Sequence, residues 1–394
     1  MKKIAMLAIG LGLLLSPSPV FSSEPLQPVD PEKQVSCCQL DLLGWDAQLW
    51  GNESQSNESQ SGDRSALLEA IADSLRYLDT EQAVEDYQTH PVAGITRDRV
   101  RRSLERFREL VLSANSAVEL QAAVRREFVW YRASGYDGQG TVAFTGYFEP
   151  TYAASRQPTQ EYRYPLYGVP PDLENWSRPH PTRQALEGVD GTGSNSPLRG
   201  SELVWLRDRL EAFLIHVQGS ARLQLTDGSV MTVNYAGNTD YTYVGIGAEL
   251  VRDGLMALED LTLQALVEYF ARHPNQLSEY LLRNNRFIFF RTTNGDPAMG
   301  VLKVPVTAER SIATDKSLMP PGALALIHTQ IPRMSDRGQW EQPWVSRFVL
   351  DHDTGGAIKG PGRVDIFMGT GQRAGDRAGL INATGQLYYL LLPN

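Results

Sequence analysis

Cysteine and histidine are scarce in this sequence, and neither is arranged to bind a metal. The 394 residues include two cysteines, the adjacent pair Cys37 and Cys38, and six scattered histidines. Neighbouring cysteines seldom form a disulfide, because the bridge would need a distorted peptide. No histidine lies near enough in sequence to complete a zinc site with them. We therefore expect neither a metal ion nor any other cofactor.

The chain also lacks an excess of positive charge. Its formal net charge of -9 at pH 7 argues against nucleic acid or an anionic membrane surface as the main partner. The glycine-rich run GGAIKG (355–360) has its lysine before the last glycine, which is the wrong order for a phosphate-binding loop. A nucleotide site is therefore not expected.

Long apolar runs are absent apart from one near the N-terminus. Lys2 and Lys3 precede the run IAMLAIGLGLLL (4–15), which is shorter than the about 20 residues that span a bilayer. Small and turn-forming residues follow, so the pattern predicts a secretory signal peptide over residues 1–23 and a mature protein in the periplasm or cell envelope. Cys37 lies well past the apolar run. A lipid anchor is therefore not expected, and association with the outer membrane stays open.

The segment after the apolar run is strongly polar. It includes EPLQPVDPEK (24–33) and the near-repeat NESQSNESQS (52–61). Segments of this composition bury too little apolar surface to form a core. We therefore expect a flexible linker over residues 24–62.

The rest of the chain changes from helical to β-like patterns. Apolar residues recur with helical spacing over 67–78, 100–111 and 116–128, and the last of these begins with a capping-box sequence. From about Thr141, short apolar runs are separated by turn residues, which is typical of a small antiparallel barrel. We therefore expect a mainly β protein with N-terminal helices.

Two aspartates in the segment 353–371 are the main candidates for catalysis. Asp353 ends an apolar strand-like run, and Asp365 alternates with apolar residues. Burial beside apolar groups favours the protonated form of a carboxyl group, as a general acid requires. An equally good interpretation is that these aspartates only accept backbone N–H bonds in glycine-rich turns. The chain has one Asp-Thr-Gly, which at this length excludes an aspartic protease, because that enzyme needs a pair of such carboxylates.

An ordered set of motifs over roughly residues 140–394 resembles the membrane-bound lytic transglycosylase A family, whose C-terminal part is a three-aspartate domain. The motifs are GYFEP (146–150), YPLYGVPPDL (164–173), FLIHVQGSARLQLTDG (213–228), YAG (235–237), IGAEL (246–250), ERSIATD (309–315) and DTGGAIKGPGRVDIFMGTG (353–371). The resemblance implies two domains with a groove between them. One domain, over residues 63–140 and 296–394, contains the helical region and a double-psi β-barrel. The other is a smaller inserted β-domain over 141–295.

The resemblance also implies a reaction and a set of site residues. Family members cut the β-1,4 bond between N-acetylmuramic acid and N-acetylglucosamine in peptidoglycan without water, leaving a 1,6-anhydro end. Asp365 matches the catalytic acid and base, with Asp353 and Asp315 in supporting roles. The residues expected to bind the glycan are Gly146, Tyr147, Glu149, Gln218, Gly219, Ser220, Tyr235, Gly237, Lys359 and Gly360.

Other interpretations and one departure stay open. A hydrolase would use Asp365 with Glu149 or Asp353 as a second carboxylate, and a non-catalytic protein would only bind the glycan. Asp351 and His352 are additional polar residues before the shared motif, and we expect them to be a solvated strand end. The expected partners are peptidoglycan glycan strands and proteins of cell-wall synthesis, bound by a monomer.

Overall fold

The chain divides into two compact units. The computed structural model describes residues 24–30, 42–51, 62–335 and 337–394. Contacts assign described residues up to Gly146, with 300–368 and 380–394, to a terminal unit. Residues 147–299 and 369–379 form a central unit. The predicted signal peptide, the cysteine pair and parts of the predicted linker lie outside the described residues.

The elements of the described residues are as follows. The helices are α1 (Arg64–Leu78), α2 (Glu81–Gln88), α3 (Arg97–Ser113), α4 (Ala117–Glu127), α5 (Arg183–Glu187), α6 (Arg209–Gln218), α7 (Ile246–Arg252), α8 (Leu263–Arg272), α9 (Pro274–Arg283) and α10 (Gln372–Leu380). The strands are β1 (Leu26–Val29), β2 (Val129–Ala133), β3 (Val142–Glu149), β4 (Thr151–Ser155), β5 (Tyr164–Tyr167), β6 (Glu202–Leu206), β7 (Ser220–Leu225), β8 (Val230–Asn238), β9 (Ile288–Thr293), β10 (Ser311–Ala313), β11 (Leu324–Gln330), β12 (Arg333–Met334), β13 (Trp340–Glu341), β14 (Trp344–Asp353), β15 (Arg363–Thr370) and β16 (Asn382–Leu391).

The N-terminal helices follow the apolar spacing of the sequence. Leu67 and Ile71 of α1, and Leu104 and Phe107 of α3, are fully buried. Helix α4 begins after Ser116, whose hydroxyl accepts the N–H of the third helical residue at 3.2 Å, because this position leaves backbone N–H groups that need an acceptor. Each of the three predicted helical segments therefore lies on a helix of the terminal unit.

The terminal unit is built on an eight-stranded sheet that closes on itself. Its order is β1-β2-β16-β11-β14-β10-β15-β3, and β16 also pairs with β3. Strands β16, β11, β14, β10, β15 and β3 therefore form a ring. Within the ring, β10 runs parallel to β14 and antiparallel to β15. The strands of the ring carry many apolar side chains with no exposed surface, among them Leu324, Leu350, Ile366 and Leu390.

Two described parts of the predicted linker belong to the terminal unit, so the linker interpretation is wrong for them. Strand β1 pairs antiparallel with β2, and Leu26 and Leu43 have no exposed surface. Asp46 forms a buried ion pair with Arg310. Single leucines and one paired carboxylate are thus buried in segments whose average composition is polar, and composition alone does not reveal them.

The central unit contains a second, six-stranded sheet. Its order is β5-β6-β4-β7-β8-β9, and an isolated bridge joins Gly168 to Phe290 at its two edges. Helix α6 packs on this sheet, with Ile215 buried against Leu223 and Val233. Strands β4 and β7 pair in parallel, so the expectation of a purely antiparallel barrel is wrong here. Helices α7 to α9 bury a separate cluster around Leu250.

Candidate active site

Asp365, the third residue of β15, is held by a hydroxyl group and lies beside a guanidinium group. Thr145 Oγ1 of β3 donates a short hydrogen bond to Asp365 Oδ1. The same oxygen lies 3.5 Å from Arg363 Nε, and Asp365 keeps 8% of its surface exposed. One oxygen of the Asp365 carboxylate is thus held by the hydroxyl of Thr145.

Asp353 lies two strands away from Asp365 in the same ring. Ala313 of β10 is in register with Asp353 on one side and with Asp365 on the other, so their Cα atoms are about 10 Å apart at the usual strand spacing. Asp353 Oδ1 accepts the N–H groups of Val301 and Thr354, each at 2.9 Å. Its carboxylate is thus oriented by the backbone.

Asp315 ties the glycine-rich loop to the end of β10. Its Oδ2 accepts the N–H of Gly360 at 2.8 Å, and its Oδ1 accepts the N–H and hydroxyl of Ser317 at 3.1 and 2.7 Å. Gly360 has φ 78°, in the region that favours glycine. Lys359, beside it, is exposed. Asp315 therefore shapes the loop that presents Lys359.

Asp351 and His352 are not a solvated strand end, so that expectation is wrong. Both side chains are fully buried. Asp351 accepts hydrogen bonds from Thr314 Oγ1 at 2.7 Å and Tyr389 OH at 2.6 Å, and it pairs with Lys316. The β10–β14 register shifts at this point, which a sequence pattern does not reveal.

The predicted glycan-binding residues near α6 and β8 come together in the central unit. Gln218 Oε1 accepts the N–H of Phe148 at 3.1 Å, which leaves its amide NH2 as the donor for a ligand. Gly219 ends α6 with φ 80°. Ser220 begins β7, opposite the residue that precedes Tyr235 on β8.

Tyr235 offers an exposed ring whose hydroxyl is fixed. The residue is 42% exposed, and its OH donates a short hydrogen bond to Asn238 Oδ1. Arg286 donates to the same oxygen at 2.9 Å. Gly237 lies on the same strand and approaches the side chains of Val169 and Leu173.

Glu149, the predicted second carboxylate, has no exposed surface. Its Oε2 accepts the hydroxyl of Thr370 at 2.7 Å and lies 3.6 Å from Arg222 Nε. Burial raises the pKa of Glu149 above its ordinary value. In this structure the side chain offers a glycan no surface. Its neighbours on β3 differ, since Gly146 and Tyr147 are half-buried.

Comparison with known proteins decides the family. The model for the MltA specific insert domain matches residues 143–291, and the model for the 3D domain matches 310–391. The membrane-bound lytic murein transglycosylase A of Escherichia coli (strain K12) is 31% identical over 262 residues, covering 66% of this chain and 68% of the relative. Its Vibrio cholerae counterpart is 32% identical over 264 residues, with the same coverage. The chain belongs to the membrane-bound lytic murein transglycosylase A family.

Solved structures agree with this membership, which confirms the resemblance found in the motifs. A membrane-bound lytic murein transglycosylase from Agrobacterium tumefaciens superposes with a TM-score of 0.68 at 27% identity, covering 91% of this chain and 97% of that one. The Escherichia coli protein with bound chitohexaose has the same fold, with a TM-score of 0.67 at 23% identity and coverage of 94% and 96%. Members of the lytic murein transglycosylase A family thus share this mixture of helices and sheets.

The 3D domain match contains all three predicted aspartates, and the insert domain match contains the predicted residues of α6, β7 and β8. Sequence reasoning missed three polar neighbours of the aspartates: Thr145, Lys316 and Arg363. Arg363 stands two residues before Asp365, so strand alternation could have placed it on the same face. Within the described residues, no group of three or more His, Cys, Asp or Glu side chains could hold a metal ion.

Proposed function

We propose that this protein is a lytic transglycosylase that cleaves the β-1,4 bond between N-acetylmuramic acid and N-acetylglucosamine in peptidoglycan and forms 1,6-anhydromuramoyl ends. One observation carries the proposal: in a chain of this family, Asp365 is fixed through one oxygen by Thr145 and lies beside Arg363. A single carboxyl group held in this way can serve first as acid and then as base.

The proposed reaction uses this carboxyl group twice. Asp365 gives its proton to the glycosidic oxygen as the bond to muramoyl C1 breaks. The muramoyl C6 hydroxyl then attacks C1, and Asp365 takes the hydroxyl proton, which returns the carboxyl group to its starting state. Arg363 stabilises the carboxylate between the two transfers. No second carboxylate is needed, because the nucleophile belongs to the substrate.

The other predicted residues support Asp365 or bind the polymer. Asp353 and Asp315 support the strand and loop around the acid, and the exposed Lys359 binds carboxylates of the lactyl group or stem peptide. The sugar-binding group combines amide and hydroxyl donors, exposed rings, and glycines that permit close approach. It consists of Gly146, Tyr147, Gln218, Gly219, Ser220, Tyr235, Gly237 and Gly360; the buried Glu149 would join it only after a rearrangement.

The finer architecture and location belong to the same proposal. The closed ring of six strands, with the parallel pair β10–β14 next to the aspartates, supports a double-psi β-barrel built from both ends of the chain. An inserted β-domain over 141–295 and a groove for the glycan complete it. A monomer acting in the periplasm or cell envelope fits the predicted signal peptide. No described helix is long and apolar enough to cross a membrane.

The test is a digest of intact peptidoglycan sacculi by the wild type and by Asp365→Asn. We expect wild-type fragments to lack a reducing end and to be one water lighter than hydrolase products, by mass spectrometry. Asp365→Asn should sediment with sacculi as the wild type does and release no soluble fragments. Reducing ends throughout the wild-type digest would point to a hydrolase. Binding without release by the wild type would identify a glycan-binding protein.

A further inference from the structure

Lys316 is an almost buried cation beside the catalytic strands, and its contacts account for all of its hydrogen-bonding capacity. Its Nζ donates to Asp351 Oδ1, to the main-chain oxygen of Asp353 and, at 3.0 Å, to Thr314 Oγ1. An ammonium group has three N–H donors. With three protein acceptors in place, Lys316 has no donor left for a substrate. It differs in this from the exposed Lys359.

The negative charge that balances Lys316 is itself fully committed. Asp351 has no exposed surface. Besides Lys316, it accepts the hydroxyls of Thr314 and Tyr389. A buried ion pair is retained without loss of stability only when such additional hydrogen bonds satisfy the carboxylate. The Lys316–Asp351 ion pair is therefore fully hydrogen-bonded within the protein, and the proposed proton transfers do not use it.

Lys316 contacts two residues of β14, Asp351 and Asp353, and both lie at the C-terminal end of that strand. The main-chain oxygen of Asp353 accepts the Lys316 ammonium group and the N–H of Thr314, the latter at 3.0 Å. A hydrogen bond from an ion is about twice as strong as one between neutral groups. The peptide of Asp353 is thus held from the segment that follows β10.

The same short segment fixes the far end of the glycine-rich loop. Asp315, next to Lys316, accepts the N–H of Gly360. The residue at the end of β10, Ala313, pairs with both Asp353 and Asp365. Residues 313–316 therefore contact the chain at Asp353 and at Gly360, on either side of the glycine-rich run, and Ala313 lies between Asp353 and Asp365.

We propose that Lys316, with its charge balanced by Asp351, is a positioning residue that sets the placement of Asp353 and Asp365 for glycan cleavage. The inference rests on the proposed function, since it concerns the geometry of the acid. Lys316 acts through the peptide of Asp353 and through β10, and it does not contact the sugar. Misplacing a reacting group by about 1 Å can cost about 100-fold in rate.

The decisive variant removes both charges together. Lys316→Met alone would leave Asp351 buried without its cation, which destabilises a protein strongly. In Lys316→Met/Asp351→Asn, the asparagine can still accept from Thr314 and Tyr389, so the fold should persist. The matched control is Lys303→Met, which changes an exposed lysine of the same unit. Rates are measured on soluble, uncrosslinked glycan strands and expressed per folded molecule from circular dichroism.

We expect the double variant to fold with kcat lowered about 10- to 100-fold and KM within about 2-fold of the wild type. Lys316→Arg, which keeps a cation at this position, should recover part of the rate. A double variant with the wild-type kcat would overturn the proposal, and so would one that does not fold at any temperature, because the pair would then serve folding alone. Asp365→Asn runs in parallel: if it cleaves normally, the proposed function fails, whatever Lys316 does.

Discussion

At the scale of single residues, the hydroxyl of Thr145 is the contact that fixes Asp365, the carboxylate proposed to be catalytic. A hydrogen bond to a charged group contributes about 1.5–3 kcal/mol, which corresponds to about 10- to 100-fold in rate when the bond orients the reacting group. Thr145→Val keeps the shape and removes the donor. We expect kcat to fall by about 10-fold or more with little change in KM, measured on soluble glycan strands.

Thr145→Ser is the matched control for this prediction, because it keeps the hydroxyl and removes only a methyl group. It should retain most of the activity. If Thr145→Val cleaves as fast as the wild type, the hydroxyl does not orient Asp365. If both variants are equally slow, any change at this position lowers the rate, and the loss in Thr145→Val is not specific to the hydroxyl.

The identity of the second carboxylate is also decided at this scale. Glu149 is the residue that a hydrolase would need, yet it is buried and its pKa is raised by that burial. We predict that whatever product Glu149→Gln releases from sacculi still carries 1,6-anhydro ends, by mass spectrometry. Products with reducing ends in the wild type and none in this variant would show that Glu149 takes part in hydrolysis.

At the scale of elements, the sequence predicts what depends on neighbours in the chain. Helix α4 begins where Ser116 predicts it, because capping is local. The short strand β10 has no such signal, since three residues carry no usable period. Its position between Asp353 and Asp365 depends on pairings with β14 and β15. The hydrogen bond from Thr145 to Asp365 joins residues 220 apart, so only the folded ring brings them together.

His352 links α1 to the sheet, and its burial predicts how the free energy of unfolding depends on pH. The ring of His352 contacts Ser74 Oγ of α1 at 2.8 Å and Ser311 Oγ of β10 at 2.9 Å. Burial lowers the pKa of His352 to about 3, and the charges of Lys316 and Arg76 add to this effect. The imidazole therefore stays neutral in the folded protein, whereas in the unfolded chain it binds a proton below about pH 6.5.

The sign of the effect follows from proton binding. Between about pH 6.5 and 3 the unfolded state holds one more proton than the native state, so His352 lowers the free energy of unfolding as the pH falls. The slope from this residue is at most about 1.4 kcal/mol per pH unit. His352→Gln should lose that slope, measured as the difference between variant and wild type in urea unfolding from pH 7 to 4.5. Identical slopes would show that His352 becomes protonated in the native state.

At the scale of the whole molecule, the described residues that precede the helices (24–30, 42–51 and 62–63) are part of the terminal unit. Arg310 is the residue that precedes β10. Its guanidinium group pairs with Asp46 and Asp63, with nitrogen–oxygen distances of 2.5 Å each. Arg310 has no exposed surface, and it also donates to the main-chain oxygen of Phe348 at 2.8 Å. The motif that leads into β10 is therefore anchored by residues about 250 positions earlier in the sequence. No composition window over the N-terminal segment could have revealed this partnership.

The anchoring predicts that one change far from the aspartates weakens the terminal unit. Asp46→Ala removes a buried partner of Arg310 and an acceptor of the Phe348 N–H at 3.0 Å. We expect a loss of about 3 kcal/mol in the free energy of unfolding, because the guanidinium keeps only Asp63 as a charged partner. Asp79→Ala is the matched control, since it breaks an exposed pair with Arg101 and should cost at most about 1 kcal/mol. Urea unfolding followed by tryptophan fluorescence measures both.

If Asp46→Ala is no more harmful than Asp79→Ala, the N-terminal segment contributes no stability and is a linker after all. If it is more harmful, catalysis at Asp365 should survive in the folded fraction, because the anchor stabilises the unit that carries the acid without touching the acid itself.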